Sequence, residues 1–236
     1  MKKIMITLLG ATSILLSTIV ASHSFEGFSV GVNISTADFD IKGREFDVDS
    51  NTADESETSA FVKRSVSTDI LEGFIEYTFA QGTTMGISMI QGTADLGNAQ
   101  RVEAGGTSGT ATGNTSGTVK VKAEVSDPTT FYVEPTWMAS DVFGVYVKGA
   151  ATKVSVEPKE VSDTGGVVTS TYKSEDVWGF GTGVGAKYYM GNFFAKLEYL
   201  KTDFQAYNHQ STTGDKNKIT ADIETEETNL SIGYNF

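Results

Sequence analysis

The feature that most constrains this chain is a two-residue alternation of apolar and polar side chains, sustained for about ten residues at a time and found eight times between Phe25 and Phe236. That period puts alternate side chains on opposite faces of a β-strand, and about ten tilted residues suffice to cross a bilayer. The segments are 25–35, 68–79, 83–93, 129–139, 143–152, 177–188, 193–202 and 228–236. In the first, Phe28, Val30, Val32 and Ile34 oppose Ser29, Gly31, Asn33 and Ser35; in the last, Leu230, Ile232, Tyr234 and Phe236 oppose Asn229, Ser231, Gly233 and Asn235. Between them, Leu71, Ile75, Met85, Ile87, Phe131, Trp137, Val145, Val147, Trp178, Val184, Leu197 and Tyr199 fall on the apolar face.

The N-terminus obeys a different rule. Lys2 and Lys3 precede an uncharged, mostly apolar run from Ile4 to Val20, followed by small residues at Ala21-Ser22 and Ser24. This is the pattern of a cleaved signal peptide, so residues 1–24 are set apart from the fold and residues 25–236 form one domain. After Val20 no apolar run exceeds about eight residues, so a mature chain in a membrane must cross it as a closed barrel. The expected fold is all-β, an up-and-down antiparallel transmembrane β-barrel of eight strands.

Connection lengths alternate as well. Three strand pairs are joined by two to five residues, and the other connections, residues 36–67, 94–128, 153–176 and 204–227, are long. A soluble sandwich has no reason to gather its long loops at one end, whereas an outer-membrane barrel places short turns in the periplasm and long loops outside. Lipid-facing residues must also pair with lipid-facing residues across a hairpin. That favours a three-residue turn Ser140-Asp141-Val142, with Ala139 opposite Phe143, Trp137 opposite Val145 and Glu134 opposite Lys148. The odd-numbered alternation continues back through Val125, Val121 and Val119, so this hairpin is expected to stand beyond the membrane, paired with residues 152–161.

The chain carries a net charge of -12 and no cysteine. The charge argues against a nucleic-acid partner, because phosphates require a basic surface. Catalysis is not expected: His23 leaves with the signal, and His209 reads as a solvated loop residue with Asp203 and Asp215 nearby only in sequence. Asp47-Val-Asp49-Ser-Asn51 opens like a calcium loop, but Thr52 and Thr58 stand where the required Gly and Glu belong, so neither a metal site nor a cofactor is expected. Asp38, Asp40, Glu45, Asp54, Glu55 and Glu57 read as a solvated acidic loop. Charges on the inward face nearly balance: Glu72, Glu76, Glu134 and Glu198 against Lys148, Lys187 and Lys196. An eight-stranded barrel is just wide enough for side chains to fill, so these groups are expected to pair, with Gly179, Gly181, Gly183 and Gly185 making room.

Four stretches resemble the small OmpA-type, porin-like outer-membrane barrel family: Phe28-Ser-Val-Gly-Val-Asn33, Gly179-Phe-Gly-Thr-Gly-Val-Gly-Ala-Lys-Tyr188, Phe194-Ala-Lys-Leu-Glu-Tyr199 and Leu230-Ser-Ile-Gly-Tyr-Asn-Phe236. The resemblance spans the mature chain. It implies that Tyr234 and Phe236 serve as the signal read by the outer-membrane assembly machinery, and that outer-membrane lipid is the other partner. No peptidoglycan-binding domain is expected after Phe236. The functional expectation is a non-enzymatic integral outer-membrane protein with a structural or surface-interaction role, displaying four extracellular loops; the alternative is a narrow passive pore for small solutes.

Overall fold

The computed structural model describes residues 25–48, 55–58, 62–90, 93–103, 117–164, 172–212 and 218–236. The expected signal peptide, residues 1–24, lies outside them. Eleven strands follow in chain order: β1 Gly27–Val48, β2 Glu55–Thr58, β3 Val62–Thr78, β4 Thr83–Ile90, β5 Thr93–Glu103, β6 Gly117–Met138, β7 Phe143–Thr164, β8 Glu175–Met190, β9 Phe193–Phe204, β10 Tyr207–Gln210 and β11 Lys218–Asn235. Eight of them form an antiparallel ring in the order β1, β3, β4, β6, β7, β8, β9, β11. The ring closes where β11 pairs with β1, from Ser29↔Asn235 to Phe46↔Lys218. Closure satisfies the backbone donors and acceptors that an open sheet would leave bare at its edges. The chain is therefore an up-and-down eight-stranded barrel, as the alternation requires.

At one end the connections are tight. Gly82 takes a left-handed φ of 84° and donates its amide to the Phe79 carbonyl at 2.8 Å. Gly191, at φ 64°, starts the two-residue turn between β8 and β9, a position where glycine avoids a Cβ clash. Between β6 and β7 the amide of Ala139 donates to the Phe143 carbonyl at 2.8 Å, so Ser140-Asp141-Val142 is the turn, and Trp137 pairs with Val145.

Outward side chains form a band of Val, Ile, Leu, Met and aromatics exposed to the surroundings, including Val32, Leu71, Met85, Phe131, Val145, Val184, Leu197 and Ile232. At the short-turn end the band closes with edge-to-face aromatics: Phe28 on Tyr77, Tyr77 on Phe79, Phe193 on Tyr234 and Tyr234 on Phe236. Towards the long-connection end it stops abruptly. Past Ile34, Leu71, Tyr199 and Leu230 the next outward residues are Thr36, Asp69, Lys201 and Thr228.

Three differences from the sequence reading stand out. Part of the expected loops is strand: β1 runs to Val48, whereas the extension of the β6–β7 hairpin is as expected, paired through Thr130↔Thr152 and Lys120↔Val161 and on to Thr118↔Thr164. β2, β5 and β10 add short pairings on β1, β6 and β11 within segments expected as loops. The odd-numbered alternation of β6 also does not keep one face. A bulge between Ser126 and Thr129, with Asp127 at φ 50° ahead of Pro128, inserts a residue and reverses the facing, so Phe131 points outward while Val125 is buried inside.

Candidate functional site in the barrel lumen

Inside the barrel the side chains form three zones. Near the short-turn end lies an aromatic floor of Phe74, Tyr189 and Phe194 with Phe25 and Met138 against it, the ring of Phe25 stacked on Tyr189 at 3.7 Å. At the opposite end is an apolar zone of Ala37, Phe39, Val125, Val154, Val156, Val177, Tyr207 and Ile223. Between the two sits the charge cluster. Six of the seven expected lumen charges meet in it, supplied by β3, β6, β7, β8 and β9.

Lys196 of β9 is the hub. Its ammonium donates to Glu134 Oε2 at 2.8 Å and to Glu76 Oε2. Lys187 of β8 lies 3.6 Å from both Glu76 and Glu134 and donates to Thr84 Oγ1 at 3.4 Å. Lys148 of β7 donates to Glu198 Oε1 at 2.9 Å and stands 3.5 Å from Glu134 Oε1, with its charge 4.2 Å above the Tyr132 ring. The hairpin register thus brings Glu134 and Lys148 together, but each has a shorter contact elsewhere. Glu72 stands apart, accepting from Asn33 Nδ2 at 3.1 Å.

Two tyrosines complete the arrangement: Tyr132 donates to Glu76 Oε2 at 2.8 Å and Tyr146 to Glu198 Oε2 at 3.0 Å. Asn229 donates its amide to Glu198 Oε1 at 2.9 Å. Room for the tyrosines comes from glycine. A Cβ at Gly185 would fall 2.3 Å from Tyr146 Cζ, and one at Gly86 would fall 2.4 Å from Tyr132 Cζ. The ammonium groups are each within 4 Å of two carboxylates, the condition under which buried ions offset their desolvation. The cluster is buried: Glu134, Lys187 and Glu76 are 0%, 1% and 2% exposed.

One lumen carboxyl escaped the sequence reading. Glu227, assigned to a loop, continues the inward side of β11 after Thr225 and before Asn229, opposite Ala37 on β1 and Leu200 on β9. The odd-numbered inward positions of β11 extended backwards would have found it.

Elsewhere, His209 is not a loop residue: it lies on β10, its Nε2 2.9 Å from Glu175 Oε2. Asp203 is outward on β9 opposite Glu224, while Asp215 and residues 49–54 of the calcium-like stretch lie outside the described residues. Among the described residues no group of three or more His, Cys, Asp or Glu is arranged to hold a metal ion. Tyr234 and Phe236 face outward at the closing seam, where the Phe236 amide donates to the Phe28 carbonyl at 2.9 Å.

No family model matches the chain, and no curated protein matches it in sequence. Solved structures do match in fold. The outer membrane protein OprG from Pseudomonas aeruginosa superposes with a TM-score of 0.52 at 14% identity, over 91% of this chain and 98% of that one. The outer membrane protease OmpT from Escherichia coli superposes with a TM-score of 0.51 at 9% identity, over 93% and 100%. At these identities the likeness is one of architecture: this chain has the fold of the outer-membrane β-barrels.

Proposed function

We propose that this chain is a non-enzymatic integral outer-membrane protein whose barrel is sealed by its own side chains and serves to anchor a projecting β-rich surface, in a structural or surface-interaction role. The observation that carries this is the near-zero exposure of Glu134, Lys187 and Glu76 at mid-barrel. Charged groups lining a water-filled pore would be wetted, and these are enclosed by one another and by the floor beneath. The outward apolar band supports lipid as the solvent of the outer face, since a band of this extent would be an aggregation site in water. Export through a cleaved signal peptide, insertion by the outer-membrane assembly machinery and kinship with OmpA-type barrels rest on the sequence motifs.

A narrow pore is the second reading, favoured by the buried Glu76 Oε1, Glu134 Oε1 and Asn229 Oδ1, which accept no hydrogen bond among the described residues. Such atoms mark places where water could enter. Reconstitution into planar bilayers separates the two: the sealed reading expects no reproducible conductance steps, and steady steps that change in size with Lys196→Met would establish the pore.

A further inference from the structure

Among the described residues, five carboxyl groups face the lumen, the buried Glu76, Glu134 and Glu198 and the half-buried Glu72 and Glu227, against the three ammonium groups of Lys148, Lys187 and Lys196. The ammonium groups are committed to Glu76, Glu134 and Glu198, and Glu72 is held by Asn33. Among the described residues, Glu227 accepts one hydrogen bond, 3.4 Å from Thr225 Oγ1 on its own strand. It sits at the junction of two zones, its strand neighbours Ala37 and Leu200 both buried and apolar.

The charges that face it come from other strands: Glu72 from β3 and Glu198 from β9, both negative, and Lys148 from β7, already shared between Glu198 and the deeper Glu134. On β1 its register partner is the uncharged Ala37, flanked on the inward face by Ser35 and Phe39. We propose that Glu227 is a proton-binding switch: protonated, it completes the junction between the charged cluster and the apolar zone, and ionised, it competes for Lys148 and loosens the cluster from above.

The position lies beyond the apolar band, level with the outward Glu226–Lys201 ion pair. Burial first, and then the negative charge of Glu72, pushes this carboxyl up from 4.5 to about 7, with Lys148 opposing. A carboxyl held above its unfolded value stabilises the fold while protonated. That contribution is complete below pH 4.5 and is lost as pH rises through about 7. The switch is independent of whether the barrel conducts.

The test uses protein with ¹³C-carboxyl-labelled glutamate, folded into zwitterionic lipid vesicles. Histidine is the other side chain whose charge changes near neutral pH, so measurements are made in a His209→Gln background. One carboxyl resonance should titrate near neutral pH, vanish in Glu227→Gln, and move to higher pH in Lys148→Met. The urea midpoint should fall between about pH 5.5 and pH 8.5 with Glu227 present and stay level in Glu227→Gln. The proposal is overturned if no glutamate titrates above about pH 5.5, a result readable without any Glu227 variant, or if Glu227→Gln keeps the full pH dependence.

Discussion

Lys196 reaches across the barrel from β9 to donate a 2.8 Å hydrogen bond to Glu134 on β6, a strand that is not its neighbour in the ring. The pair therefore ties opposite walls together. A buried pair of this kind can roughly break even against its desolvation, but removing one partner strands the other charge. Lys196→Met should destabilise the barrel by about 3 to 5 kcal/mol, and Glu134→Gln by a smaller amount because Gln still offers an acceptor. Urea unfolding in lipid vesicles measures both. A midpoint for Lys196→Met within error of the parent would show that the hub carries no weight.

Double-mutant cycles built on these unfolding measurements rank the partners of Glu134. Coupling should be larger for Lys196 with Glu134 at 2.8 Å than for Lys148 with Glu134, which are 3.5 Å apart while Lys148 lies closer to Glu198 at 2.9 Å. Residues in contact fail additivity, so each double mutant should recover part of the summed loss. Equal coupling, or none, would overturn the ranking.

Glycine positions offer a test of the packed lumen that involves no charge. At Gly185 an added methyl would fall 2.3 Å from Tyr146 Cζ and 2.8 Å from the Leu197 carbonyl, so Gly185→Ala should cost about 1 to 3 kcal/mol. Gly73 faces outward with nothing within 4 Å, and Gly73→Ala should be neutral or slightly stabilising. The comparison is made by unfolding midpoints under one condition. Equal effects would mean that the lumen is loose enough to absorb the methyl.

The outward face of the barrel was legible because one rule holds on every strand: Val30, Leu71, Val145 and Leu230 are outward and apolar whatever packs inside. The turn at Ser140 was legible for the related reason that a one-residue slip would turn Trp137 and Val145 inward. The interior was legible only in part. Glu134 and Lys148 lie on neighbouring strands, so register alone brings them together. Lys196 and Glu134 meet across the lumen, which depends on barrel diameter and on which inward positions are glycine. Beyond the apolar band the rule lapses, because there the apolar residues, such as Val125, Val154 and Ile223, point inward and the outer face is polar. There the bulge at Ser126 reversed the facing of Val125, and the strand positions of Glu227 and His209 read as loop.

Protease access tests the orientation. Lys173 lies just before β8, outside any strand, with an exposed side chain, whereas Lys63 and Arg64 are paired in β3 against Lys42 and Ile41. Trypsin added to intact cells should therefore cut at Lys173 well before Lys63 or Arg64. Protection of all three in intact cells, with cleavage only after the periplasm is opened, would invert the assigned topology.

The final residue carries the last prediction. Phe236 is 73% exposed, its ring edge-on to Tyr234 at 5.2 Å, and its amide bonds the carbonyl of Phe28 on the first strand. Its side chain buries little against protein, so deleting it removes one aromatic from the girdle and one hydrogen bond from the closing seam. That is a loss of about 1 to 2 kcal/mol once folded, too small to unfold a barrel. If Tyr234 and Phe236 also act as an assembly signal, the deletion should lower the amount of heat-modifiable protein in the outer membrane far more than this stability loss explains. Phe236→Trp, which keeps an aromatic at the end of β11, should restore most of it. Unfolding in vitro separates the two effects: a deletion variant that folds normally from urea yet accumulates poorly in cells supports the signal. Normal accumulation in cells would refute it.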